Sequence, residues 1–122
     1  MKITKDDLKE LLTKYPLLHV WGYETKNRKS DALINESIEE LQDKLINEIR
    51  AINLVIEFLG KHATKTRVIT KDSSYYYKHL VEKHTGEYIS NGVFIAGALL
   101  AGYRMKPDPG FNPCFNMVVK NA

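Results

Sequence analysis

Cysteine is nearly absent from this sequence: Cys114 stands alone. An internal disulfide is therefore excluded, and the fold does not depend on an oxidising compartment. Long apolar runs are also missing. The longest nearly apolar stretch, Gly92 to Tyr103, falls short of the roughly 20 residues a bilayer crossing needs. Met1-Lys2-Ile3-Thr4-Lys5-Asp6-Asp7 lacks the apolar core of a signal peptide. The expectation is a water-soluble, cytoplasmic chain.

Internal repeats and low-complexity tracts are lacking, and so are motifs of catalysis or metal binding. The glycines at 92, 97 and 102 lie within or at the end of a helical pattern, not in the strand-loop-helix context of a phosphate-binding loop. His79 and Glu82 share a helix face, but His79 and His84 do not point at one ion on a straight helix. Cys114 has no local signature of a nucleophile. These absences weigh against an enzyme, and no catalytic residue, metal or cofactor is expected.

What is present fits one domain over residues 1–122. The hydrophobic fraction of 43% and charged fraction of 27% are those of a folded globular chain. Thr4 caps a first helix that opens on Asp6 and Asp7, carries Leu8, Leu11 and Leu12 on one face, and stops near Tyr15, before Pro16. Leu17 to Tyr23 reads as a short strand or extended segment. Glu24 to Lys29 reads as an exposed loop carrying Lys26, Arg28 and Lys29.

The strongest pattern runs over residues 30–60. Ile34, Ile38, Leu41, Leu45, Ile49, Ile52, Ile56 and Leu59 recur every three or four residues with charges between them. That is a long amphipathic helix ending near Gly60. Unbroken from Asp31 to Leu59 it would span roughly 43 Å at 1.5 Å per residue, against a radius of gyration of about 14 Å for a domain this size. It must cross the whole domain, bend or project. An apolar stripe of this length predicts a homodimer through Ile38, Leu41, Leu45, Ile49 and Ile52.

Residues 73–119 predict a helix-helix-hairpin module. Asp72-Ser73-Ser74 caps a helix over Tyr75 to His84 that Thr85-Gly86 ends. Ser90-Asn91 caps a second helix, Gly92 to Ala101, apolar all round and rich in small residues, which marks it as buried. Tyr103 to Lys106 and Phe115 to Val119 then alternate like the arms of a β-hairpin around a Pro- and Gly-rich turn. The fold class is α+β, predominantly α.

This order of elements resembles a winged helix-turn-helix. The second helix carries no charge, however, and a helix without polar side chains does not read bases in a groove. Residues 73–103, including Ser-Ser-Tyr-Tyr-Tyr-Lys-His and Tyr-Ile-Ser-Asn-Gly-Val-Phe-Ile-Ala, also resemble a module of small phage- and plasmid-encoded proteins. That resemblance implies an accessory protein that binds nucleic acid or inhibits a host enzyme, and it assigns no residue a role.

Charge gives the sharper lead. Residues 1–59 sum to −2 and residues 60–122 to +5. A basic half favours an anionic partner, either nucleic acid or an acidic protein surface. Tyr75, Lys78, Lys83, Arg104 and Lys106 mix stacking aromatics with phosphate-seeking cations and form the expected anion-binding set.

Overall fold

A computed structural model describes residues 2–26, 28–107 and 109–120. The fold is α+β and predominantly helical, with five α-helices and two small antiparallel sheets. The elements are α1 (Lys5–Lys14), β1 (Leu18–His19), β2 (Gly22–Tyr23), a 3-10 turn (Asp31–Leu33), α2 (Ile38–Ile46), α3 (Ile49–His62), β3 (Ala63–Lys65), α4 (Ser74–Thr85), α5 (Asn91–Leu100) and β4 (Met117–Val119).

α1 begins as its sequence predicts. The Thr4 hydroxyl accepts from the Asp7 amide and the Asp7 carboxylate accepts from the Thr4 amide, a complete capping box.

The long amphipathic segment is helical over most of its length and bends at Asn47–Glu48, where α2 gives way to α3. Its start lies later than the periodicity suggests. Ser37 caps α2 and pairs with Glu40 in a second capping box, so residues 31–36 stay outside the helix. The bend settles how so long a segment fits a small domain. α2 packs on β1 and α1, while α3 packs on α5 and β3.

This overturns the expected dimer stripe. Leu41, Leu45 and Ile52 are fully buried in the chain's own core, and Ile38 and Ile49 are half-buried. Once the segment bends, each of its two halves finds a cover within the molecule.

α5 lies at the centre of the fold, in contact with α1, α3, α4 and both strands of the first sheet. Every residue from Asn91 to Ala98 is buried. Its small residues let backbones approach. A Cβ on Gly97 would stand 2.5 Å from the Val55 side chain, and one on Gly92 would stand 1.9 Å from the His19 carbonyl oxygen. Phe94 stacks on Tyr77 of α4 and meets Phe115 edge-on.

After α5 the chain turns at Gly102, which takes a positive φ of 93°, and enters the C-terminal hairpin. A bridge between Met105 and Phe115 joins its arms, and its returning arm continues into β4, which pairs with β3. The order α4, α5, hairpin is the one expected from the sequence, and α5 is enclosed by its neighbours.

Candidate nucleic-acid interface

Asn116 organises the surface around the hairpin. It is buried, and its side chain holds two neighbouring segments at once. Its Oδ1 accepts from the Arg104 amide at 2.7 Å, and its Nδ2 donates to the Thr66 carbonyl at 3.1 Å. Its own amide donates to the Arg104 carbonyl, and its carbonyl accepts from the Thr66 amide. Further along, the Lys106 amide donates to the Cys114 carbonyl, the Thr70 amide donates to the Phe115 carbonyl, and the Cys114 thiol lies 3.6 Å from the Lys71 carbonyl. The chain from Cys114 to Met117 is thus flanked by residues 65–71 on one side and 103–106 on the other.

Five exposed cations stand on the two flanking segments: Lys65, Arg67 and Lys71 on one, Arg104 and Lys106 on the other. Arg104 is oriented by a 2.9 Å hydrogen bond from its Nη2 to the Arg67 carbonyl. The Lys65 ammonium lies over the Tyr103 ring, 5.6 Å from its centroid. None of the five forms an ion pair with a carboxylate among the described residues. Like charges gathered without counter-charges repel, so their mutual electrostatic interaction opposes the free fold.

The structure divides the five residues expected from the sequence. Arg104 and Lys106 stand together on this face. Lys78 does not reach solvent: it is buried at 7% exposure, with its ammonium 5.3 Å from the ring centroids of both Tyr75 and Tyr88 and 3.4 Å from Glu82. It points inward because it lies beside the face of α4 that buries Ser74, Tyr77 and Val81. Burial opposes ionisation of Glu82, but the Ile89 amide, the Lys78 charge and His79 outweigh it and hold its carboxyl below the usual range. Lys78 is therefore a fixed internal cation, not a phosphate contact.

Tyr75 is half-exposed and engaged by Lys78 and His79. Lys83 is exposed near the other end of α4. No hydrogen bond, ion pair or ring contact joins either of them to Arg104 or Lys106 among the described residues.

The sequence does not single out Lys65, Arg67 and Lys71, because their pairing with the hairpin is non-local. Tyr76 is an exposed aromatic tied to this face through Tyr77. It is 49% exposed, and its ring packs against Tyr77, whose hydroxyl bonds Thr70 and the Met117 carbonyl.

A second polar feature was missed altogether. Glu24, expected in an exposed loop, is 3% exposed, and His19 is fully buried beside it. The Trp21 amide donates to His19 Nδ1 at 3.1 Å, which leaves the ring proton on Nε2, donated to Glu24 at 2.6 Å. The Ser30 amide and hydroxyl also donate to this carboxylate. Burial disfavours the charged form of Glu24, but the hydrogen bonds from His19 and Ser30 prevail and lower its pKa. The carboxylate stands between the hydroxyl and the imidazole, so Ser30 bonds Glu24 and not the His19 ring.

No family model matches the chain, and no curated protein or solved structure gives a significant match. Among the described residues no group of three or more His, Cys, Asp or Glu is placed to hold a metal ion, and no helix is long and apolar enough to cross a membrane.

Proposed function

We propose that this chain is a non-catalytic nucleic-acid-binding protein whose contact face carries Lys65, Arg67, Lys71, Arg104 and Lys106. The observation that carries this reading is the gathering of five exposed, unpaired cations on two segments locked to one strand by Asn116. Such an arrangement suits the repeating charge of a phosphodiester backbone, which Lys and Arg neutralise with release of counterions. The enclosed helix α5 cannot enter a groove, so recognition of base edges is not part of the proposal. Binding is sequence-tolerant.

Fluorescence anisotropy with labelled single-stranded and duplex oligonucleotides, taken over a range of salt, tests it. Affinity should fall steeply as salt rises. Replacing Arg67, Arg104 and Lys106 together by Ala should lower the slope of log K against log salt by about 2 for a single strand, at about 0.7 per phosphate contact. Absence of binding below about 100 μM at low salt, the weak end of non-specific affinity, removes nucleic acid as the partner.

A further inference from the structure

The outgoing arm of the hairpin leaves the basic face at Lys106 and ends at Phe111, which lies against the first sheet and the start of α5. The Phe111 carbonyl accepts from the Tyr23 amide and from Asn91 Nδ2, and its ring rests on Gly22 and beside His19. There it meets the loop from Thr25 to Lys29. One cleft of about 400 Å³ is lined by Phe111 together with Arg28 and Lys29, and another of about 690 Å³ by Pro109 and Gly110 together with Thr25 and Lys26.

The loop is fastened at its base. Glu24 and Ser30, at its two ends, are joined through the Glu24 carboxylate, which His19 holds from beneath. Lys26, Arg28 and Lys29 are exposed and form no ion pair among the described residues. Of the carboxylates nearby, Glu24 is spent on its own hydrogen bonds and Glu36 is paired with Lys44 at 2.6 Å. Asp31 lines the first cleft, Glu39 lines a further one with Lys26, Arg28 and Lys29, and Asp108 lies outside the described residues.

We infer that the nucleic-acid path does not stop at the hairpin face but continues along the hairpin to this loop, making Lys26, Arg28 and Lys29 a second phosphate-contacting patch. The inference rests on the function proposed above, and it sets a length scale for the partner. Phe111 lies five positions after Lys106, a gap of at most roughly 17 Å in extended chain. A strand with one phosphate per about 3.4 Å of rise crosses a gap of that size in about five nucleotides. A strand several times that length touches both patches, and joining them makes the second contact intramolecular, which raises affinity beyond either patch alone.

The test compares wild type with the triple variant Lys26→Ala, Arg28→Ala, Lys29→Ala, using labelled oligothymidylates of about four and about twenty nucleotides. The long strand should bind the variant at least about tenfold more weakly at low salt, with a salt slope smaller by about 2, while the short strand is held equally by both proteins. Circular dichroism confirms that the variant is folded. Equal affinity and slope for the long strand on wild type and variant overturn the extended path and leave the hairpin face standing. A wild-type protein that binds neither strand overturns both. Equal losses for short and long strands also overturn the extension, because they would place the loop at the primary contact.

Discussion

Glu24 shows how much one carboxylate can fix. It accepts from the His19 ring and from both the amide and the hydroxyl of Ser30, tying the first sheet to the far end of a basic loop. Its pKa is lowered in the fold, so the sign of its linkage is set. The stability it supplies is fully present above the unfolded value of about 4.3 and is lost as pH falls through the lower folded value. Urea midpoints for wild type should therefore decline over that acid window more steeply than those of Glu24→Gln. At neutral pH, Glu24→Gln should cost about 1–3 kcal/mol, because donors arranged for a carboxylate then face an amide.

Lys78 offers a complementary contrast. Its ammonium is enclosed by Tyr75, Tyr88 and Glu82. Lys78→Ala should lower the melting temperature, since it removes a packed aliphatic stem and leaves Glu82 without its cation. It should leave oligonucleotide affinity unchanged. An equal loss of affinity in Lys78→Ala and in Arg104→Ala would put Lys78 back among the contacts.

At the scale of elements, the bend between α2 and α3 decides the most. Leu45 is fully buried beside it, so Leu45→Asp should unfold the chain, with no folded monomer appearing in sedimentation. Were it a dimer contact, the same change would yield a folded monomer. Gly97 belongs to the meeting of α3 and α5, where a Cβ would strike Val55. Gly97→Leu should cost about 1–3 kcal/mol through overpacking, read as a lower melting temperature.

Periodicity, caps and glycines made most elements legible, including the close packing of the second C-terminal helix. The late start of α2 and the bend after it were written in the sequence as well. Ser37 and Glu40 form a capping-box pair that marks the start, and Asn47, at the bend, is a weak helix former, but a continuous three-to-four spacing of apolar residues masked both. The pairing of β3 with β4 joins residues more than fifty positions apart, and no local pattern announces it. That is why Arg104 and Lys106 were found while Lys65, Arg67 and Lys71 were not. Lys78 was misplaced because a helix face cannot be assigned to solvent until its neighbours are known.

For the whole molecule, the division into an acidic and a basic half survives only along the sequence. In space, the hairpin brings Pro109, Gly110 and Phe111 of the C-terminal half to the loop carrying Lys26, Arg28 and Lys29 of the N-terminal half. Because the five cations of the hairpin face have no counter-charges among the described residues, neutralising them relieves repulsion. Arg67→Gln, Arg104→Gln and Lys106→Gln combined should leave the melting temperature unchanged or raised while weakening the salt-dependent binding.

The enclosure of α5 carries a consequence for the protein's breathing. A helix with eight successive buried residues, in contact with three other helices and a sheet, has no partial opening that wets it alone. Its amide protons exchange with deuterium only when the entire chain comes apart. α1, which meets the rest through one face, frays on its own and exchanges early. Native-state exchange should rank the α5 amides slowest, with an apparent opening free energy equal to that of global unfolding by urea.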